Sequence, residues 1–197
     1  MLINISQGGL LVAFDLDLPR CYCFTGIRGV GKSTLVNQVR KDFPNTFFTS
    51  GSETLKEMMG EDYKNFEFLF ESEKSRLRYE LNQNLRNIQK KTQKDLFVDA
   101  HLTVRNLKTG ILENIFTENE IGFYTDIILL DSTPEKVLEN RQKDVTKKRS
   151  LDIDSITEEL EFERIAATEI CFAHNLKLHI IKVGDNEVRD LKYILKR

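Results

Sequence analysis

The residues best suited to chemistry lie in the stretch "CFTGIRGVGKST", residues 23–34. Its glycines follow the pattern G-x-x-x-x-G-K-S, in which the backbone curls so that successive N–H groups point inward and no side chain blocks a ligand. Such a nest accepts polyphosphate oxygens, the lysine reaches the terminal phosphates, and the serine hydroxyl is a ligand for Mg²⁺. The pattern predicts a nucleoside triphosphate site made by Gly26, Ile27, Arg28, Gly29, Val30, Gly31, Lys32, Ser33 and Thr34.

The sequence around the loop favours this interpretation over a glycine-rich turn that binds nothing. A short apolar strand, Cys21 to Thr25, precedes the loop, and an amphipathic helix begins at Lys32. A phosphate site of this type requires that order of strand, loop and helix. The N-terminal end of the helix also adds the positive end of its dipole to the site.

Two carboxylates follow predicted strands at the edge of the sheet where the loop lies. They are Asp99 in "LFVDAH" and Asp131 in "IILLDS". A carboxylate there holds Mg²⁺ directly or through water, as phosphoryl transfer requires. We predict that Asp99 and Ser33 form the metal position, with a hydrogen bond from Asp99 to nearby backbone as the alternative. Asp131 precedes a helix and fits a local cap better than a metal ligand.

A polar, basic segment, "RQKDVTKKRSLDID", occupies residues 141–154. A transferred phosphoryl group carries spreading negative charge, and a kinase brings cations over it from mobile segments. The segment follows a predicted strand and helix beside the phosphate site, which favours a lid that carries Arg141 and Arg149. The alternative is a solvated charged loop.

Short apolar runs alternate with helical patterns along the chain. Strands are predicted at residues 21–25, 45–49, 96–99, 126–130 and 178–183, and helices at residues 32–43, over most of 53–94, and at 134–141, 155–173 and 187 onward. The run "DIILL" is apolar throughout, as in a strand covered on both faces. The alternation predicts an α/β fold, a P-loop NTPase three-layer sandwich with a five-stranded parallel sheet and helices on both faces, plus an N-terminal β-hairpin.

The chain is expected to form a single domain over residues 1–197, with three additions to the core. Residues 1–20 predict a hairpin extension, because two apolar runs are split by "QGG". The charged, helical residues 50–94 are expected to bind the acceptor, and residues 141–154 to form the lid. Ser155 and Glu158 predict a capping box for the long helix. Three aromatic residues of the acceptor segment are expected in the core: Phe66, Phe68 and Phe70.

Composition excludes several classes of protein. Hydrophobic residues make up 40% and charged residues 30%, and the longest apolar runs are far short of a membrane span. A net charge of −2 gives no overall basic field, so binding to long nucleic acid is not predicted. Three cysteines are too few for a disulfide framework and their spacing fits no metal motif, which predicts free thiols in a reducing cytoplasm. The oligomeric state is left open.

Four stretches together resemble a known family. "TGIRGVGKST", "FVDAHLTV", "DIILLDSTPEKVLENRQKD" and "ELEFERIAATEICFAHNLKLHIIKVGD" have the order and spacing of nucleoside monophosphate kinases, and are most similar to adenylate kinases of the archaeal type. The resemblance runs from about Cys21 to Arg197 and leaves the N-terminal hairpin without a counterpart. It implies a helical segment over the acceptor nucleotide and a lid over the donor.

The resemblance also implies roles for individual residues. Asp99 matches the aspartate near magnesium, Arg141 the arginine over the donor base, and Arg149 a lid arginine that reaches the phosphates. The positions that match acceptor contacts are His101, Thr103 and Arg105 on one side and Ser50, Gly51 and Lys56 on the other.

Two departures from the family concern charge. Arg28 stands where these kinases often have proline, and Lys56 replaces an arginine that many members place on the acceptor phosphate. A lysine cannot make the two-pronged contact of an arginine. Arg76 and Arg78 could compensate, with an exposed helix face as the alternative interpretation of "EKSRLRYE".

The sequence therefore predicts ATP-dependent phosphoryl transfer to a nucleoside monophosphate, with AMP as the first candidate and Mg²⁺ as cofactor. Its expected catalytic residues are Lys32, Asp99, Arg141 and Arg149. One alternative is a kinase that acts on another small molecule or on a nucleic-acid end. Another is a slow nucleotide-hydrolysing switch that binds a partner, although the chain has no N-K-x-D motif of a GTPase.

Overall fold

The computed structural model describes residues 19–106, 109–144, 149–184 and 186–196. The hairpin predicted for residues 1–20 falls almost entirely outside the described residues, which begin at Pro19. No helix of the described ranges is long and apolar enough to cross a membrane.

A five-stranded parallel sheet forms the centre of the molecule. The strands of the described chain are β1 (Cys21–Thr25), β2 (Thr46–Ser50), β3 (Asp95–Asp99), β4 (Thr103–Arg105), β5 (Leu112–Asn114), β6 (Asp126–Asp131) and β7 (Lys177–Lys182). The central sheet has the order β2-β3-β1-β6-β7, and all its pairs are parallel. β1 and β6 are buried along their whole length because they lie in the middle of the sheet and are covered on both faces.

Helices cover both faces of the sheet and bury a separate apolar cluster on each. The helices are α1 (Lys32–Val39), α2 (Gly51–Met59), α3 (Glu71–Thr92), α4 (Glu118–Ile121), α5 (Pro134–Lys143), α6 (Ile153–His174) and α7 (Glu187–Leu195). One cluster packs α3 and the C-terminal half of α6 against the sheet. The other packs α1, α5, α7 and the N-terminal turns of α6. The predicted fold class, a parallel sheet with helices on both faces, is confirmed.

The carboxyl ends of β1 and β3 meet at one edge of the sheet. Phe24 is aligned with Asp99, and the Ala100 N–H donates to the Phe24 carbonyl at 2.9 Å. Because all five strands are parallel, the loop after β1 and the residues that follow β3 emerge side by side. Ligands bind at this edge in open α/β sheets.

Several local expectations differ from the structure. β4 and β5 form an antiparallel pair that the patterns did not predict, and residues Gly60–Phe68 form 3₁₀ turns. The capping box predicted at Ser155 is wrong, because Asp152 accepts from the Ser155 N–H at 2.8 Å and α6 begins earlier, at Ile153.

The three aromatic residues predicted to lie in the core differ in how far they are buried. Phe66 packs against the core as expected. Phe68 and Phe70 are 70% and 80% exposed, so their predicted burial is wrong. They lie where the 3₁₀ turns give way to α3, and the extended backbone at Leu69 and Phe70 carries the chain away from the core there.

The first described residues are fastened by Gln89 of α3. This side chain is fully buried, and its Nε2 donates to the carbonyls of Pro19 and Arg20 at 2.8 and 3.0 Å. The Arg20 carbonyl also accepts from the Leu96 N–H at 2.8 Å, so the Pro19 carbonyl is the one that relies on this amide.

Replacing Gln89 by leucine keeps the volume but removes both donors. We expect a loss of about 1–3 kcal/mol in the free energy of unfolding, because the Pro19 carbonyl loses this donor and the Arg86 guanidinium loses the Gln89 oxygen that accepts its hydrogen bond. Urea unfolding measures it, with Gln83→Leu on the exposed face of the same helix as the control. Equal stability of the two variants would contradict the assigned role.

Candidate functional site

The glycine loop has the backbone shape that its sequence predicts. Gly26, Gly29 and Gly31 have φ values of 141°, 92° and 114°, a region that side chains with a Cβ rarely adopt. Gly26 also lies against β6, since a Cβ there would stand 2.6 Å from the Leu130 carbonyl oxygen. Ile27 and Val30 are 5% and 1% exposed, so their side chains anchor the loop in the core while its backbone faces outward.

Lys32 is buried beneath this loop. Its side chain is 6% exposed, and its Nζ donates to the Gly26 carbonyl at 2.6 Å and lies 3.7 Å from Asp99 Oδ1. Burial lowers the pKa of Lys32, and the carboxylates of Asp99 and Glu163 oppose that shift. The ammonium group therefore lies beneath the loop, between the Gly26 carbonyl and Asp99. A terminal phosphate bound in the loop would need a positive charge at this place.

The residues predicted to hold Mg²⁺ fit that ion. Ser33 and Thr34 are exposed at the start of α1, and Ser33 and Asp99 line the same cleft. Among the described residues no group of three or more His, Cys, Asp or Glu side chains is placed to hold a metal by itself. Mg²⁺ in phosphoryl-transfer sites needs only one or two protein oxygens, because substrate phosphates and waters complete its shell.

His101 lies against the loop from the other side. Burial and the nearby positive charges of Lys32 and Arg28 lower the pKa of His101 well below its ordinary 6.5, and a hydrogen bond to the Gly26 backbone opposes them only in part. The imidazole is therefore neutral at physiological pH, and it lines the cleft. Ser50 and Gly51, at the end of β2, line the cleft beside it.

The two predicted lid arginines are held differently. Arg141 is 5% exposed, and it donates from Nε to the Arg28 carbonyl at 2.9 Å and from NH1 to the Ser150 carbonyl at 3.0 Å. Its remaining nitrogen, NH2, lies 2.6 Å from Glu159 Oε2. Arg149 lines the cleft, with NH1 3.3 Å from Asp144 and 3.5 Å from where a Cβ of Gly29 would stand. Arg149 thus lies over the loop, whereas Arg141 braces it.

Three predicted acceptor contacts do not line the cleft. Lys56 is exposed on α2, away from it. The Thr103 hydroxyl donates to Glu163, and Arg105 forms ion pairs with Glu158 and Glu159 at 2.7 and 3.5 Å. Their predicted contact with an acceptor stays a prediction that this arrangement of side chains does not favour.

The cleft beyond the loop has a volume of about 1400 Å³. Pockets for one small ligand have roughly 300–1,000 Å³, so this cleft has room for two ligands. Two aromatic pairs line its far wall, Tyr63 with Phe66 and Phe116 with Tyr124, each with ring centroids 6.0 Å apart.

One face of α3 brings cations to the same wall. Arg78 and Lys74 line the cleft with side chains 15% and 17% exposed, and both pair with Glu71. Arg76 is 63% exposed and pairs with Glu80, as expected for a solvated helix face. The two interpretations of "EKSRLRYE" therefore apply to different arginines.

Sequence reasoning missed three polar groups that shape the site. The Asn140 amide donates to the Gly29 carbonyl at 3.0 Å, and Glu163 is buried behind the loop at 1% exposed. Arg164 donates to Asp131 Oδ1 at 2.8 Å, while Thr133 rather than Asp131 caps α5. Glu163 did leave a signal: it is a carboxylate on the apolar face of a helix, three residues after Leu160.

We expect Gly26→Ala to destabilise the protein by about 2 kcal/mol or more, because it combines an unfavourable φ with an overlap on β6 backbone. Thermal unfolding measures the change. Gly184→Ala is the control, since a Cβ at Gly184 meets nothing within 4 Å and its φ is not positive. A Gly26 variant as stable as this control would mean that the loop is not held against β6.

The neutral His101 predicts how stability changes in acid. As pH falls below about 6.5, the unfolded chain takes up a proton at His101 and the folded chain does not, so the free energy of unfolding decreases. His101→Gln should flatten this decrease between about pH 7 and pH 5.5. Urea unfolding at several pH values compares the two proteins, and parallel curves would contradict the prediction.

Solved structures of similar shape include three shikimate kinases. The enzyme from Bacteroides thetaiotaomicron is 14% identical with a TM-score of 0.56, and the match covers 91% of this chain and 99% of that one. That from Acinetobacter baumannii, in complex with shikimate, is 15% identical with a TM-score of 0.54, over 91% and 92% of the chains. That from Aquifex aeolicus is 20% identical with a TM-score of 0.53, over 90% and 94%. These likenesses show a P-loop kinase fold.

No curated protein sequence matches the chain significantly. A family model described as "AAA domain" matches residues 25–159, which run from the end of β1 into α6 and contain the glycine loop. That match spans more than half of the 197 residues. The chain therefore belongs to the AAA domain family and has the P-loop kinase fold.

Proposed function

We propose that this protein transfers a phosphoryl group from ATP to a small-molecule acceptor, a nucleoside monophosphate, with AMP as the first candidate. The observation that carries the proposal is one shared cleft of about 1400 Å³. The glycine loop, Asp99 and Arg149 line one side of it, and two aromatic pairs line the other. Donor and acceptor would then meet over the buried ammonium group of Lys32.

On the donor side, the loop amides bind the phosphates and Lys32 neutralises the terminal ones. Lys32 now donates to Gly26, so it must leave that carbonyl to reach a phosphate. Ser33 and Asp99 would hold Mg²⁺, which when bound neutralises charge that develops on the phosphates.

Positive groups around the loop would stabilise the charge of the transferring group. Arg149 lies above Gly29, and Arg28 is exposed on the loop itself. Arg141 acts differently in this proposal: its three guanidinium nitrogens are engaged and its side chain is 2% exposed, so it fixes the loop and the start of α6. Positioning and charge stabilisation supply most of the rate enhancement in such reactions, so no covalent intermediate is needed.

The far wall of the cleft supports a nucleotide as acceptor. The stacked pair Tyr63 and Phe66, with planes 16° apart, offers flat apolar surface to a base. A different small molecule is the second candidate, because one neighbour in fold is a shikimate kinase in complex with shikimate. A switch that hydrolyses nucleotide slowly is a candidate from another class. In such a protein no acceptor would bind at the far wall of the cleft.

We also propose a reducing compartment, the cytoplasm, as the site of the reaction. Cys21, Cys23 and Cys171 are free and buried. Burial raises the pKa of Cys171 to about 11, which keeps its thiol protonated and unreactive.

Replacing Lys32 by alanine should reduce turnover of ATP with AMP by at least about a thousandfold, because the transferring group loses its nearest positive charge. Coupled detection of ADP measures the rate. Lys90→Ala, an exposed lysine on α3, is the matched control and should keep the wild-type rate. Turnover by the Lys32 variant at that rate would refute the proposed site.

A panel of acceptors separates the candidate functions. The proposal predicts two ADP from ATP and AMP, and little ADP from ATP alone. Product only with shikimate or another hydroxyl compound would favour the second candidate. Slow hydrolysis that no acceptor changes would favour the switch.

A further inference from the structure

The carboxylate of Glu159 on α6 lies between two arginines that belong to different parts of the cleft. Its Oε2 lies 2.6 Å from NH2 of Arg141, and its Oε1 lies 3.5 Å from Nε of Arg105. The Glu159 side chain is 15% exposed, so water and salt screen these pairs less than they screen pairs on the surface. A shift of either arginine therefore acts on the carboxylate and, through it, on the other arginine.

Arg141 connects this carboxylate to the glycine loop. Its Nε donates to the Arg28 carbonyl at 2.9 Å, and its Cγ lies 2.8 Å from where a Cβ of Gly29 would stand. NH1 donates to the Ser150 carbonyl at 3.0 Å. Because the Arg141 side chain is 2% exposed, its guanidinium cannot turn toward water without losing these bonds. The guanidinium group therefore holds the backbone of residues 28 and 29.

Arg105 connects the same carboxylate to the hairpin formed by β4 and β5. Side chains alternate between the two faces of a strand, and β4 follows this rule. Val104 lines the cleft, whereas Arg105 faces α6 and pairs there with Glu158 and Glu159. β5 leads into Phe116, which lines the far wall of the cleft. The hairpin thus contacts the acceptor side of the cleft with one face and α6 with the other.

The contact between Arg105 and Glu159 is incomplete. Their separation of 3.5 Å exceeds that of an ordinary N–H···O hydrogen bond, about 2.7–3.2 Å. Nε of Arg105 is buried and has no hydrogen-bond partner among the described residues, and an unpaired buried donor is unfavourable. A movement of the hairpin toward α6 by less than about 1 Å would complete this bond, in competition with the bond between Glu159 and Arg141.

We propose that Glu159 is a positioning residue that couples the β4–β5 hairpin to the glycine loop. A ligand that moves the hairpin changes the pairing of Glu159 with Arg105, and Arg141 transmits this change to the backbone of residues 28 and 29. The effect of this coupling on substrate binding rests on the proposed function. The link itself does not, because it can be measured in the protein without any nucleotide.

The first experiment follows the backbone amides of residues 28–31 by NMR without nucleotide. Arg105→Gln should shift these amides in the wild-type background, because Glu159 then pairs with Arg141 alone. The same substitution should no longer shift them when Glu159→Gln is already present, because the link is then absent. Such non-additivity identifies groups that act on each other through a shared partner.

Glu158→Gln is the matched control for Glu159→Gln. Glu158 is the adjacent carboxylate and lies 2.7 Å from Arg105, but no ion pair joins it to Arg141 in the described part of the chain. Its variant should shift the hairpin amides and affect the amides of residues 28–31 much less than Glu159→Gln does. Equal effects of the two variants on the loop would overturn the proposal.

Two further results of the NMR experiment would also overturn it. One is the absence of any response of the loop amides to Arg105→Gln. The other is an equal response with and without Glu159, which would mean that the hairpin acts on the loop by another route. Such a route exists, since the Thr103 and Thr25 hydroxyls both donate to Glu163.

The second experiment measures the affinity for a non-hydrolysable ATP analogue by calorimetry with Mg²⁺. Arg105→Gln should weaken binding at least about threefold in the wild-type background, and clearly less when Glu159→Gln is present. Equal losses in both backgrounds would contradict the coupling. Absence of binding by wild type would refute the proposed function, while the NMR experiment without nucleotide would still decide the link.

Arg105→Lys keeps the proposal testable if Glu159→Gln does not fold. That variant could fail because it leaves the buried Arg141 without its carboxylate. Arg105→Lys retains a positive charge opposite Glu159, so its loop amides should lie closer to their wild-type positions than those of Arg105→Gln. Identical loop shifts in the lysine and glutamine variants would contradict the proposal.

Discussion

The constraint on which the site depends is the burial of one positive charge. Lys32 is 6% exposed, and its Nζ donates to the Gly26 carbonyl at 2.6 Å and lies 3.7 Å from Asp99 Oδ1. A buried ammonium is stable only where acceptors and carboxylates surround it. The glycine loop supplies the acceptor, because its curled backbone turns the Gly26 carbonyl inward. The end of β3 carries Asp99, and the middle of α6 carries Glu163.

The frame around this charge extends to the lid. Glu159, one turn before Glu163 on α6, lies 2.6 Å from Arg141, and Arg141 bonds the carbonyls of Arg28 in the loop and Ser150 before α6. Through these contacts α6 carries two carboxylates with different tasks. Glu163 bonds the end of β1 and the backbone at Thr103, and Glu159 pairs with Arg141, which braces the glycine loop. A movement of α6 would therefore act on both.

The sequence predicted those parts of the molecule that local physics determines. The glycine spacing and the continuous apolar runs of β1 and β6 each require one local structure, and the structure has them. It did not predict the partners of Arg105 or the burial of Glu163, because these depend on residues some 50 to 138 positions away in the chain. The burial of Phe68 and Phe70 was predicted wrongly. An aromatic side chain indicates a core position only where the backbone directs that side chain into the core.

The most direct test of the buried-charge site is an NMR titration of the backbone amides with Mg²⁺ and a non-hydrolysable ATP analogue. If the loop is a phosphate nest, the largest shifts will fall on the amides of residues 28–34, with a change at the Lys32 side chain as it leaves the Gly26 carbonyl. Folded protein whose loop amides do not respond to the nucleotide, or respond less than amides elsewhere, would contradict the account.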